Sequence, residues 1–84
     1  MSEQEIGKIT HYFSKISVGV VELSGELKVG DTIKIVGHGR EFTQKVESMQ
    51  IEHKNVEKAG KGESIGLKVD QPVKEGDIVY KITE

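Results

Sequence analysis

The sequence has no cysteine, no tryptophan and one proline, and only two tyrosines and two phenylalanines among its 84 residues. Without cysteine there is neither a disulfide framework nor a thiolate metal site. Arginine is almost missing as well: Arg40 is the only one among twelve basic residues, and bidentate phosphate recognition favours arginine. The formal net charge is -2, so the field of the whole molecule does not draw in nucleic acid. No apolar run approaches the roughly 20 residues of a membrane-spanning helix. The first five residues, Met1-Ser2-Glu3-Gln4-Glu5, are polar and acidic with no apolar signal core behind them. These absences lead us to expect a soluble cytoplasmic protein with no membrane partner.

What the chain does contain is a turn used twice. Leu27-Lys28-Val29-Gly30-Asp31 runs into Thr32-Ile33-Lys34-Ile35, and Val73-Lys74-Glu75-Gly76-Asp77 runs into Ile78-Val79-Tyr80-Lys81-Ile82. A glycine in third place suits a type II turn, whose third residue needs a positive φ. Each turn opens a β-branched run, so the spacing predicts a small antiparallel β domain. Six runs read as strands: 5–13, 16–23, 32–36, 42–53, 64–69 and 78–82. In the first, Gly7, Ile9, His11 and Phe13 share one face. In the longest, Phe42, Gln44 and Val46 alternate and the phase then moves to Met49 and Ile51, which implies a bulge or bend at Glu47-Ser48. Asn55–Gly62 reads as a loop, because Gly60 and Gly62 stop any helical turn. The expected core is Ile9, Val21, Leu23, Leu27, Ile33, Ile35, Val46, Met49, Ile65, Leu67, Val69, Ile78 and Val79. Residues 1–5 are expected to be a flexible N-terminus and 6–84 a single β-barrel domain.

Catalytic and cofactor motifs do not emerge. Gly60-Lys61-Gly62-Glu63-Ser64 lacks the earlier glycine of a phosphate loop and the hydroxyl residue after the lysine, so no nucleotide is expected. His11, His38 and His53 have no paired metal-ligand spacing. No nucleophile elbow is present. The expectation is a non-enzymatic binding module with no cofactor, no metal and no catalytic residue. Positive charge concentrates only around Arg40, Lys45, Lys54, Lys58 and Lys61, interleaved with Glu52, Glu57 and Glu63.

The order of these motifs resembles a known family. Ser48–Val69, with its His53, Val56-Glu57 and Gly62-Glu63-Ser64-Ile65-Gly66, is similar to the second domain of elongation factor Tu and elongation factor 1-alpha. Ile6-Gly7-Lys8-Ile9 and the two Lys-x-Gly-Asp turns fit the same pattern, so the likeness runs over about residues 6–82. The GTPase domain of that family has no counterpart within these 84 residues. The resemblance implies a closed six-stranded antiparallel β-barrel of the translation-protein second-domain type. It implies a translation elongation factor-like module contacting RNA, the ribosome or a translation protein, through Ile51, His53 and the five cations. At the tRNA-facing segment Glu52 and His53 replace an aromatic residue and an arginine, and Ser64 replaces an asparagine, so any RNA association is expected to be weak and salt-sensitive. Residues 7–16 and 46–53 also resemble the C-terminal domain of collagenase-like peptidases. That likeness implies the alternative role, a separately encoded accessory or docking domain of such a peptidase. The oligomeric state is left open.

Overall fold

The structure, a computed structural model, describes residues 2–37 and 39–83. His38, at the centre of the expected 37–40 connection, lies outside the described residues, as does Met1. The described chain is all β. Its strands are β1 (Ser2–Phe13), β2 (Val18–Leu23), β3 (Leu27–Lys28), β4 (Thr32–Gly37), β5 (Arg40–Lys45), β6 (Met49–Ile51), β7 (Lys54–Val56), β8 (Lys58–Ala59), β9 (Ser64–Lys68) and β10 (Ile78–Thr83).

The expected six-stranded closed barrel is corrected by this arrangement. Eight strands form one antiparallel sheet in the order β5-β4-β10-β1-β2-β9-β6-β7, and β3 and β8 form a separate pair. No ladder joins β5 to β7, so the sheet does not close. The count differs for two local reasons. The long run 42–53 breaks at Glu47-Ser48, as its phase change predicts, and becomes β5 and β6. The expected loop 55–62 pairs instead: Met49 faces Val56 across the β6–β7 hairpin, and Leu27 faces Ala59. β1 begins at Ser2 rather than near residue 5, with Ser2–Glu5 opposite Tyr80–Thr83.

A side chain spans part of the open side. Gln44, 6% exposed, donates from Nε2 to the Lys68 carbonyl at 2.9 Å and accepts from the Asp70 N–H at 2.7 Å. It ties β5 to the end of β9 where no backbone ladder does. A buried amide held from both ends satisfies its polar groups and fixes the relative position of the two segments.

The repeated turn is present, and in three copies. Residues 28–31, 60–63 and 74–77 share one construction. The third-place glycines have φ of 98° (Gly30), 89° (Gly62) and 95° (Gly76). The fourth-place carboxylate accepts the first residue's N–H: Asp31 from Lys28, Glu63 from Gly60 and Asp77 from Lys74. Each glycine N–H donates to the carbonyl of a buried residue, Val46, Leu23 or Ile9, and that residue's N–H donates back to the turn's last carbonyl. These six bonds are 2.8–2.9 Å. The stretch that fails as a phosphate loop is therefore an additional copy, with Gly60 in the lysine's place and Glu63 in the aspartate's. Just before each turn stands a buried residue, Leu27, Ala59 or Val73.

The core follows the alternation. Every expected core residue is buried except Ile78, which is half-buried where β10 opens. Ile6, Phe42, Ala59 and Val73 join it. The expectation that Gly7, Ile9, His11 and Phe13 share one face is corrected. The register slips between Ile9 and His11 against β2, so His11 and Phe13 turn outward and are exposed. A one-residue slip moves all later side chains to the other face.

Candidate docking groove

Residues of two hairpin tips line one depression on the outer face of the sheet. The first joins β1 to β2 through Ser14–Ser17, with the Ile16 N–H donating to the Phe13 carbonyl at 3.3 Å. The second is the two-residue tip Glu52-His53, since Ile51 faces Lys54 directly. Between them lies a groove of about 260 Å³, lined by Phe13, Ile16, Val18 and Val20 on one side and by Gln50, Glu52 and His53 on the other.

The register explains the depression. His11 faces Val20, Val20 faces Gly66, and Gly66 faces Gln50. These four residues form a row across β1, β2, β9 and β6 on the outward side. Gly66 has no side chain, and a Cβ there would stand 3.3 Å from Val18 Cγ1. The low point of the row is thus a glycine between two valines and a glutamine. Above it, Ile16 is 63% exposed and Phe13 46%. The Phe13 ring meets the His11 ring edge to face, with centroids 4.6 Å apart. Beyond the groove, Gln50 Nε2 donates to Asn55 Oδ1 at 3.0 Å.

Backbone strain gathers at the same place. Three non-glycine residues of the described chain have positive φ: Ser17 (55°), Glu52 (51°) and His53 (66°). All three sit on the two tips that bracket the groove. A two-residue hairpin tip with both φ positive is a type I′ turn, which favours Asn-Gly. Glu-His is a costly choice there, since a side chain in the left-handed region costs about 1–2 kcal/mol. Strain of this kind collects at functional sites. A wider recess of about 780 Å³ lies against Lys28, Val29, Val56, Glu57 and Lys58, but no strained non-glycine residue borders it.

Of the residues expected to form a binding face, His53 lines this groove, and Ile51 is half-buried against the core behind it. The cations do not share one element. Arg40 and Lys45 lie on β5, at the opposite edge of the sheet from Lys54 on β7, and Lys58 lies on the separate pair. Lys61 is in the second of the three turns. Arg40 is engaged within the fold, donating to the Pro72 carbonyl at 2.7 Å. Sequence reading missed Phe13, Ile16, Val18, Val20 and Gly66. The available signal was an apolar pair flanking a predicted turn, together with a glycine inside a strand. Among the described residues no three His, Asp or Glu side chains come together to hold a metal ion.

The family model described as the peptidase family U32 C-terminal domain matches residues 2–79. An uncharacterized protease of Methanocaldococcus jannaschii is 47% identical over 81 residues, which are 95% of this chain and 20% of that protein. A collagenase of Porphyromonas gingivalis is 41% identical over 78 residues, 90% of this chain and 22% of that protein. The chain thus spans about a fifth of the length of the curated relatives it matches. The crystal structure of the C-terminal domain of a Geobacillus thermoleovorans protein described as a U32 peptidase shares the fold, with a TM-score of 0.89 over 95% of this chain and 93% of that one at 19% identity. These matches correct the reading as an elongation-factor second domain, and RNA binding falls with it. The motifs behind that reading are turn and strand motifs, which report fold rather than ligand.

Proposed function

Because the chain belongs to the family of peptidase U32 C-terminal domains, we propose that it is a non-catalytic docking domain that serves a peptidase-like protein. The observation that carries this reading is the groove between the two strained tips, in a domain that makes up about a fifth of proteins named as a protease and a collagenase. A shallow apolar trough suits holding a polypeptide rather than cleaving one. In this role the domain contributes binding energy and orientation, and bond cleavage belongs to the peptidase portion.

The test pairs this chain with the peptidase portion of a family member from which the corresponding domain has been removed. Hydrolysis of a fluorogenic peptide is measured for each alone and for the mixture, and sedimentation velocity reports the complex. The expected outcome is no hydrolysis by this chain alone, and a complex whose KM is lower than that of the peptidase portion alone. Peptide hydrolysis by the purified chain, or no complex and no change in kinetics, would overturn the proposal.

A further inference from the structure

Building on the docking role, we propose that the groove binds an extended polypeptide segment, one that seats a large apolar side chain over Gly66 and presents an adjacent basic side chain to an acidic end. Size supports this occupant. About 260 Å³ is below the roughly 300–1,000 Å³ of small-molecule and cofactor pockets and accommodates one large side chain with its flanking backbone. The floor is apolar, and donors and acceptors stand along one wall at Gln50, Glu52 and His53. An extended segment with one apolar anchor needs an apolar floor for its side chain and polar partners for its backbone.

Charge decides what flanks the apolar anchor. Glu52 lines the groove, and the register sets Glu22 opposite Ser64, another lining residue. Lys68 lies at the far end, opposite Val18. Lys8 faces Glu22 from β1 and offsets it, so Glu52 is the carboxylate that leaves this end acidic; the other end is basic at Lys68, with Lys15 on the neighbouring tip. A segment with Lys or Arg beside its apolar residue complements the acidic end, and an Asp or Glu in that place is repelled.

The position of the groove leaves it free for such a segment. Ser2 faces Thr83 at one end of β1, and Phe13 stands at the other end of this twelve-residue strand in a molecule 32 Å long. In a family whose domain is C-terminal, the rest of the protein joins at the Ser2 end, away from the groove. The surface near that end is polar, with Lys34 paired to Glu3 and Glu41.

The experiment is fluorescence anisotropy of the full chain with the labelled peptide Gly-Ser-Gly-Leu-Arg-Gly-Ser-Gly, beside the same peptide with Glu for Arg. Wild type should bind the first saturably and prefer it by about threefold, the scale of an exposed charge pair. Ile16→Ser should weaken binding by about tenfold or more, the scale of one lost apolar contact. Ile16 is 63% exposed, so this variant keeps the fold. Glu52→Lys should invert the preference between the peptides. The double variant Glu52→Asn/His53→Gly, with a relaxed tip, should melt at a higher temperature than wild type and bind more weakly. The inference is overturned by no binding up to millimolar peptide or by Ile16→Ser binding like wild type. It is also overturned by a dimer in sedimentation equilibrium that Ile16→Ser dissolves, since the groove would then be covered by a second copy. If the peptide fails to bind while the complex with the peptidase portion forms, this inference falls and the docking role stands; if both fail, both fall.

Discussion

Glu52 and His53 show how one residue pair can trade stability for placement. Their φ values of 51° and 66° are those that Asn-Gly adopts without penalty in a two-residue tip. Replacing them with Asn and Gly should stabilise the domain by roughly 1–2 kcal/mol, measured as a higher urea midpoint at unchanged slope. A midpoint equal to wild type would mean that the tip carries no strain. Gly37 makes the opposite case. Asp77 is 1% exposed, and its carboxylate fills the space where a Gly37 side chain would begin. Gly37→Ala must displace a buried carboxylate that accepts the Lys74 N–H. We expect a loss of about 2–4 kcal/mol, combining overpacking with a disturbed buried polar group. A loss below about 1 kcal/mol would show that the aspartate has room to move.

At the scale of elements, the three equivalent turns link the sheet to its neighbours. Each supplies one donor and one acceptor to a buried residue, so each turn satisfies backbone groups as a ladder rung would. Nothing lies within 4 Å of a Cβ built on Gly30, Gly62 or Gly76, so alanine at any of them meets only the backbone penalty. Gly30→Ala, Gly62→Ala and Gly76→Ala should each cost about 1–2 kcal/mol, and the three values should agree closely in urea melts. A Gly62 variant with no effect would remove the second turn from the set. Gln44 is the other linking device. Gln44→Leu keeps the volume and leaves the Lys68 carbonyl and the Asp70 N–H without their partner, so we expect a loss of about 2–4 kcal/mol. Hydrogen exchange at Asp70 would report it locally.

Across the whole molecule, one charged group ties the first strand to the β4–β5 edge of the sheet. Lys34 on β4 donates to Glu3 on β1 at 2.7 Å and lies 3.3 Å from Glu41 on β5, with its Nζ 5.7 Å from the centre of the Tyr80 ring. The hydrogen bond to Glu3, opposed in part by burial and aided by Glu41, holds its pKa above the ordinary 10.5. A raised pKa in the folded state means that the contribution of Lys34 is complete below the unfolded value and is lost as pH rises through the folded one. The stability gap between wild type and Lys34→Met should therefore be constant at neutral pH and shrink as pH rises past the ordinary 10.5, read from thermal melts across that range. A gap unchanged at high pH would show that Lys34 acts through packing alone.

The sequence alone determined what is decided within a few residues. Positive φ at Gly30 and Gly76 follows from the need for a residue without Cβ in the turn's third place. The burial of Ile33, Ile35, Ile65 and Leu67 follows from alternation in β-branched runs, and the break at Glu47-Ser48 from a change of phase. Contacts between distant segments were decided by the tertiary structure. Whether β5 reaches β7 depends on strand twist and on Gln44 meeting a backbone 24 residues away, which no local pattern encodes. The turn at 60–63 stayed hidden because Glu63 and Gly60 do the work of aspartate and lysine, a substitution recognisable only from the hydrogen bonds. The groove stayed hidden because the register slip after Ile9 is set by pairing with β2. That slip turns Phe13 outward, beside a tip that lies nearly forty residues further along the chain. Turn and strand motifs recur wherever small β domains solve the same backbone problem, so they point to the fold, and only the surface that folding assembles points to what the domain holds.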